Sequence, residues 1–256
     1  MSTRSIDQPA KDLFKQEYTA EFADRWDELI DWEGRARSEG GFFRDILRKN
    51  GARRVLDIAS GTGFHTVTLT QDGFDVTGAD GSRNMLEKAR ENAAARGLRH
   101  IPFVQAEWTN LSRSFPGEKF DAIICLGNAF THLFDERDRK KALAEIHGLL
   151  VDGGIAIIDH RNYDCIVDKG YDSKHRYYYV GDSVDVHPED VNHRVLKMRY
   201  QYEDGRFFFL TMCPIRQDYV TNLLHDTGFR EVERYGDFEY DYDFYAPDFI
   251  VQVAKK

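Results

Sequence analysis

Asp57, Ala59, Gly61 and Gly63 stand at alternate positions directly after the short apolar run 55–56. Glycines lack a Cβ, so they allow the backbone to turn tightly and to approach a ligand closely. The segment that follows has helical character, and the first N–H groups of such a helix point back at the glycine loop. This pattern of strand, glycine loop and helix is typical of a nucleotide-binding site.

The positions around this loop indicate which kind of nucleotide it takes. A dinucleotide fingerprint has a third glycine three positions after Gly63, where Thr66 stands, and no lysine of a phosphate-binding loop follows. The segment 74–80 is predicted to be a second strand that ends in Asp80, where a ribose-binding carboxylate belongs. The sequence therefore favours a nucleoside without a phosphate chain over a glycine turn that binds no ligand.

Length and composition exclude several classes of protein. The 256 residues suffice for one large domain. A domain of that size buries about 70% of the surface that its unfolded chain exposes, so it needs no disulfides or metals for stability. The net charge of −9 argues against a nucleic-acid partner, which needs a basic face. The three cysteines lack zinc-site spacing, and no apolar run is long enough to span a bilayer. We expect a cytoplasmic protein without a metal that acts on a small molecule; the oligomeric state stays open.

Strands and helices are predicted to alternate through the first two-thirds of the chain, which is the signature of a doubly wound α/β fold. The predicted strands lie at 55–57, 74–79, 101–106, 120–126 and 154–159, and the predicted helices at 42–49, 64–71, 85–93 and 136–150. A parallel sheet of this kind binds ligands beyond the carboxyl ends of its strands. The candidate residues at those ends are Asp80, Glu107, Trp108, Asn128 and Arg161.

The whole chain, 1–256, is predicted to form one domain with a mostly parallel seven-stranded sheet. Apolar residues at helical spacing indicate that 12–30 is one amphipathic helix, either packed on the core or covering a ligand. The four predicted parts are an N-terminal lid and helix (1–50), a ligand-binding core (51–161), an antiparallel insertion (162–213) and a core completion (214–256). Within the last two parts, strands are predicted at 177–180, 195–202, 207–210, 229–235 and 249–253, and a helix at 214–227.

Several motifs resemble known enzymes. The glycine loop together with Asp80 resembles the S-adenosylmethionine site of class I methyltransferases. The segments 125–133 (CLGNAFTHL) and 158–164 (IDHRNYD) resemble the glycine N-methyltransferase family more specifically. The segments 25–32 (RWDELIDW) and 62–65 (TGFH) are more similar to the microbial glycine/sarcosine N-methyltransferases than to the animal branch. The likeness extends from about Tyr18 to Val253.

The resemblance assigns roles to individual residues. It implies that Asn128, Arg161 and Tyr200 hold the amino acid, with Tyr202 as the alternative to Tyr200. It also implies an S-adenosylmethionine site lined by Tyr18, Trp26, Arg35, Ala59, Gly61, Gly63, Asp80, Gly81, Ser82, Glu107, Trp108, Leu126, His132 and Tyr179. Arg37 and Tyr178 are the alternatives to Arg35 and Tyr179. Glu107 replaces an amide of the animal enzymes, which leaves the hydrogen bond to adenine open.

The implied activity is methylation of glycine to sarcosine and of sarcosine to dimethylglycine with S-adenosylmethionine, the early steps of betaine synthesis. In this reaction the amine attacks the methyl carbon of a sulfonium directly, so the protein mainly positions the two reactants. Arg161 suits a carboxylate because its planar fork donates two parallel hydrogen bonds, although a salt bridge to Asp159 or Asp164 is the alternative. Two further alternatives are methylation of another small amine, such as sarcosine and dimethylglycine only, and a regulatory S-adenosylmethionine binder with little turnover.

Overall fold

A computed structural model gives the fold over residues 12–171 and 183–256. In this described part the helices are α1 (Leu13–Glu17), α2 (Ala20–Ile30), α3 (Trp32–Glu39), α4 (Phe42–Lys49), α5 (Phe64–Gln71), α6 (Arg83–Ala95), α7 (Leu111–Ser114), α8 (Glu136–Leu149), α9 (Tyr163–Lys169) and α10 (Gln217–Asp226). The strands are β1 (Arg54–Asp57), β2 (Asp75–Asp80), β3 (Phe103–Gln105), β4 (Phe120–Cys125), β5 (Leu150–Arg161), β6 (Val184–Val191), β7 (Leu196–Tyr202), β8 (Phe207–Met212), β9 (Glu231–Gly236) and β10 (Phe249–Lys255). Single 3₁₀ turns occur at Trp108–Asn110 and Ala129–His132.

Seven strands form one sheet in the order β3-β2-β1-β4-β5-β10-β9. The first five of these run parallel, whereas β10 is antiparallel to both β5 and β9. The predicted doubly wound, mostly parallel seven-stranded sheet is therefore confirmed. All five parallel strands end at the same edge of the sheet, so the side chains that follow them meet there.

Both faces of the central strands are buried, which explains why their sequences are almost wholly apolar. Along β4, Ile123 and Cys125 belong to one hydrophobic cluster and Ala122 and Ile124 to another. The first cluster contains apolar side chains of α8, and the second contains those of α4. Helices thus cover the sheet on its two sides and hold the strand ends in fixed positions.

Strands β6, β7 and β8 form a separate antiparallel sheet. Leu196, Met198, Tyr200 and Tyr202 alternate along β7 and are buried, so one face of this small sheet packs inward. Glu17 attaches α1 to β8, because its carboxylate accepts hydrogen bonds from the N–H of Thr211 (3.0 Å) and from its Oγ1 (2.6 Å). The predicted antiparallel insertion after β5 is confirmed in β7 and β8.

Several boundaries differ from the sequence-based prediction. The single helix predicted over 12–30 is two helices, because the Thr19 hydroxyl accepts from Phe22 N (3.2 Å) and caps the start of α2. The third strand has only three residues, and the elements α3, α7, α9 and β6 were not predicted. The strand predicted at 177–180 lies outside the described residues. Within the described ranges, no helix has the length and apolar character that crossing a bilayer requires.

Candidate active site

The glycine loop between β1 and α5 has the geometry of a ligand cradle. Gly61 and Gly63 have φ values of +50° and +97°, in the left-handed region that favours glycine. The carboxylate of Asp57 is buried below the loop and accepts hydrogen bonds from Ala59 N (3.2 Å) and from Thr66 Oγ1 (2.7 Å). Thr66 stands where a dinucleotide fingerprint has its third glycine, and its hydrogen bond connects the first turn of α5 to the end of β1.

Asp80 ends β2 beside this loop. Its Oδ2 accepts from Gly61 N (2.9 Å) and its Oδ1 accepts from Ser82 N (2.8 Å). Burial raises the pKa of this carboxyl to about 6, against the two backbone N–H groups that lower it. Each carboxylate oxygen has a second lone pair, so an ionised Asp80 can also accept two hydroxyl protons from a ribose.

A cavity lies at the strand ends, bounded by the cradle, the N-terminal helices and the small antiparallel sheet. Most of the predicted site residues line it: Tyr18, Trp26, Arg35, Ala59, Gly61, Asp80, Gly81, Glu107, Trp108, Leu126, Asn128, His132, Arg161 and Tyr200. Gly63 and Ser82 are not in this lining; they are the N-caps of α5 and α6. Tyr178 and Tyr179 lie outside the described residues.

One end of the cavity is bounded by Glu107 and Trp108. The indole Nε1 of Trp108 donates to the carbonyl oxygen of Ile58 (2.5 Å), which fixes the ring against the cradle strand. Glu107 forms an ion pair with Lys15 (2.7 Å), and this contact raises the pKa of Lys15. The carboxylate that replaces the expected amide is therefore bound to α1.

Helix α2 covers the cradle. Trp26 meets the ring of Tyr18 edge to face, with their centroids 5.3 Å apart. Next to Trp26, Asp27 accepts hydrogen bonds from Thr62 Oγ1 (2.6 Å), Asn92 Nδ2 (2.7 Å) and Trp32 Nε1 (3.0 Å). We did not predict Asp27 as a site residue, because its partners come from three separate segments. It joins the covering helix to the cradle and to α6.

Arg35, rather than Arg37, lies at the cavity. Arg35 is 4% exposed, and its Nε donates to Glu39 Oε1 at 2.8 Å. The side chain of Arg37 is 73% exposed and lies 3.9 Å from Glu33. Since α3 directs only one of the two arginines inward, Arg35 is the residue that can bind a ligand carboxylate.

Asn128 follows β4 in a left-handed conformation, with φ +62°. This conformation is uncommon outside glycine, although asparagine tolerates it better than most residues. Its N–H donates to Asp159 Oδ1 (2.7 Å), and its Oδ1 accepts from the backbone N–H of Arg161 (2.9 Å). Its amide nitrogen donates to the hydroxyl of Tyr163 (2.9 Å). Tyr163 is fully buried and was missed by the sequence analysis; it fixes the orientation of the Asn128 amide.

Arg161 ends β5 and is 6% exposed. Its guanidinium carbon lies 5.2 Å from the ring centroid of Phe249, and its Nη1 lies 3.5 Å from the hydroxyl of Tyr171. Asp164, one of the two acids considered as its partner, instead pairs with Arg216 at 3.0 Å. Arg161 is a buried cation that lines the cavity and lies against aromatic rings.

The structure also separates Tyr200 from Tyr202. Tyr200 lines the cavity, and burial raises its pKa above the ordinary value. The hydroxyl of Tyr202 donates to the carbonyl of Arg25 (3.1 Å), so its polar end is directed to α2.

His132 is hydrogen-bonded to the Tyr18 hydroxyl (3.1 Å), and burial lowers its pKa to about 4. His132 is consequently neutral at pH 7.

The cavity residues fit S-adenosylmethionine chemically. Asp80 is a hydrogen-bond acceptor of the kind that a ribose needs, Arg35 is a cation of the kind that a carboxylate needs, and aromatic rings form much of the wall. The hydroxyl of Ser60 also lines the cavity and is buried, and among the described residues no hydrogen-bond partner is found for it. Over the same residues, no cluster of metal-ligating side chains occurs.

Comparison with known proteins agrees with this geometry. A family model described as a methyltransferase domain matches residues 55–154. A solved S-adenosylmethionine-dependent methyltransferase from Clostridium acetobutylicum superposes with a TM-score of 0.72 at 20% identity, over 92% of this chain and 97% of that one. Fold and site together define a class I methyltransferase that uses S-adenosylmethionine.

Two curated relatives narrow the class. The glycine/sarcosine N-methyltransferase of Halorhodospira halochloris is 51% identical over 246 residues, which are 96% of this chain and 91% of the relative. The glycine N-methyltransferase of Oryctolagus cuniculus is 38% identical over 182 residues, 66% of this chain and 61% of the relative. The chain belongs to the glycine/sarcosine N-methyltransferase family, and the predicted greater likeness to the microbial branch is confirmed.

Proposed function

We propose that this chain transfers a methyl group from S-adenosylmethionine to the nitrogen of glycine, and then to that of sarcosine, giving dimethylglycine. These are the early steps of betaine synthesis. The observation that carries the proposal is a buried arginine, Arg161, in the same cavity as the cradle acid Asp80. One site thus offers a cation for a small carboxylate and an acceptor for a ribose.

The donor would lie across the strand ends. Asp80 would accept the ribose hydroxyls, Trp108 and Glu107 would flank the adenine, and Arg35 would bind the methionine carboxylate. When bound, the donor supplies an electrophilic methyl group on a positively charged sulfur. The aromatic rings of Tyr18 and Tyr200 favour a nearby cation because ring faces carry partial negative charge. The protein adds position rather than covalent chemistry, and position alone can lower a barrier by roughly 7–11 kcal/mol.

The amino acid that receives the methyl group would be bound by its carboxylate. Arg161 offers a planar fork that can donate two parallel hydrogen bonds, which fixes the direction of the amino group as well as its place. A lysine would supply the charge without this orientation. The amide of Asn128, held by Tyr163 and by the backbone of Arg161, would stand beside the amine and direct its lone pair.

The amine must be neutral when it attacks, and the cavity holds no strong base for this step among its described residues. His132 has a pKa of about 4, which makes it far too weak to deprotonate an ammonium group. Burial raises the pKa values of Tyr18 and Tyr200, so both phenols stay protonated at neutral pH. We infer that the proton is released to water before the amine takes its place in the cavity.

Mass spectrometry of the products tests the proposal. The enzyme is incubated with methyl-deuterated S-adenosylmethionine and, separately, with glycine, sarcosine and dimethylglycine. We expect labelled sarcosine and then dimethylglycine from glycine, and dimethylglycine from sarcosine. Product from sarcosine and dimethylglycine but none from glycine would establish the alternative small-amine activity instead. Binding of S-adenosylmethionine without any labelled product would instead indicate a regulatory S-adenosylmethionine-binding protein with little turnover.

A further inference from the structure

We propose that Glu39 and His65 are positioning residues for the methyl donor, because together they hold the guanidinium of Arg35 in the direction of the donor's carboxylate. The inference rests on the proposed function in one respect, the placement of that carboxylate next to Arg35. Neither Glu39 nor His65 belongs to the set of site residues predicted from the sequence.

The three side chains form one buried chain of hydrogen bonds. Glu39 Oε1 accepts from Arg35 Nε at 2.8 Å and is 2.9 Å from His65 Nε2. Arg35, Glu39 and His65 are 4%, 9% and 7% exposed. Because Glu39 Oε1 is an acceptor, His65 Nε2 carries a proton in this contact, in the neutral and in the charged ring alike. One oxygen of Glu39 thus joins the arginine of α3 to the first turn of α5.

This link determines how the guanidinium is presented. A free arginine side chain samples many rotamers, and ordering it costs conformational entropy. Glu39 contacts Arg35 at Nε, the inner nitrogen of the fork, and the ring of Phe64 lies 5.0 Å from the guanidinium carbon. Because Glu39 holds Nε and the Phe64 ring lies beside the guanidinium, the two outer nitrogens of Arg35 point in a fixed direction. Arg35 and His65 both line the cavity, so the guanidinium is held at the cavity wall.

The charges are consistent with this role. Burial alone would raise the pKa of Glu39, but the nearby charges of His65 and Arg35 outweigh it and hold the pKa below the ordinary value. Glu39 therefore stays ionised and stabilises a buried cation that would otherwise be costly. Its Oε1 contacts both Arg35 and His65, so one carboxylate oxygen anchors the arginine to the first turn of α5.

The link also joins two elements of the donor site. His65 stands two residues after Gly63, in the helix that begins in the cradle. Arg35 stands on α3, directly after the helix that covers the cradle. The bridge through Glu39 therefore connects Arg35 to the helix that follows the glycine loop.

Calorimetric titration with two ligands tests the proposal. S-adenosylhomocysteine has the amino acid carboxylate, whereas 5′-methylthioadenosine lacks the whole amino acid tail. We expect Glu39→Gln to weaken S-adenosylhomocysteine about tenfold, which is about 1.4 kcal/mol, and to change 5′-methylthioadenosine less than twofold. His65→Gln should act in the same direction. Combining Glu39→Gln with Arg35→Lys should cost less than the sum of the single changes, because both act on one contact.

Glu33→Gln is the matched control, since Glu33 is a carboxylate on the same helix whose side chain is 88% exposed. It should leave both affinities unchanged. Equal loss of both ligands in Glu39→Gln and His65→Gln would mean a merely structural role and would overturn the proposal, as would no loss at all. Donor KM should rise in Glu39→Gln while glycine KM stays constant. A wild-type protein that binds neither ligand would instead refute the proposed function.

Discussion

Replacing Arg161 should remove most of the activity toward glycine while leaving the donor site intact. In the structure this arginine is buried at the end of β5 and lines the cavity, whereas Asp80 and Arg35 approach from other elements. A hydrogen bond to a charged group contributes about 1.5–3 kcal/mol, and a two-point grip on a carboxylate contains two of them. Allowing for partial replacement by water, the loss in Arg161→Ala is about 3–4 kcal/mol. This corresponds to a decrease in kcat/KM for glycine of between about 10² and 10³.

Arg161→Lys separates charge from geometry. The lysine keeps a positive charge but offers no fork, so we expect kcat/KM to fall about tenfold, less than in Arg161→Ala. Arg137→Ala is the control, because the side chain of Arg137 is 90% exposed. Initial rates with glycine, the Kd for S-adenosylhomocysteine and thermal unfolding are measured for each variant. Normal glycine turnover in a folded Arg161→Ala enzyme would refute the anchor role, and a parallel loss of donor affinity would refute its restriction to the acceptor.

Three further predictions concern the residues around Asn128, Asp80 and α2. Tyr163→Phe removes the hydroxyl that accepts from the Asn128 amide, a hydrogen bond that contributes about 1 kcal/mol. Glycine KM should therefore rise about fivefold while the Kd of the donor stays unchanged. An unchanged KM would contradict the positioning role of Tyr163. Ionised Asp80 accepts ribose hydroxyls better than its protonated form, so with a pKa of about 6 the affinity for 5′-methylthioadenosine should fall about tenfold from pH 7.5 to pH 5. Asp80→Asn should bind weakly at both pH values, and a wild-type affinity independent of pH would count against this assignment. Asp27→Ala leaves the donors of Thr62 and Asn92 without their acceptor, which loosens helix α2 above the cradle. The dissociation rate of S-adenosylhomocysteine, measured by stopped flow, should then rise about tenfold. An unaltered rate would show that Asp27 does not hold α2 in place.

The parts of the fold that were predictable are those encoded in local patterns. The apolar runs of β4 and β5 and the glycines at 61 and 63 report burial and backbone conformation directly. The place of Asp80 beside Gly61 follows from strand order alone, since neighbouring parallel strands end together.

The contacts that were missed connect residues far apart in the chain. Asp27 reaches Asn92 of α6, and Tyr163 reaches Asn128 across the ends of two strands. No periodicity records such pairs, because each partner alone resembles an ordinary polar residue. The break of the first predicted helix had a local signal, Thr19 as an N-cap, that the apolar pattern on either side obscured.

A crystal structure with S-adenosylhomocysteine and glycine bound together tests the central claim most directly. We expect two nitrogens of Arg161 about 2.7–2.9 Å from the glycine carboxylate, with the amino group directed at the sulfur. A glycine carboxylate bound elsewhere, with the guanidinium of Arg161 turned from the cavity toward neighbouring acids, would contradict it.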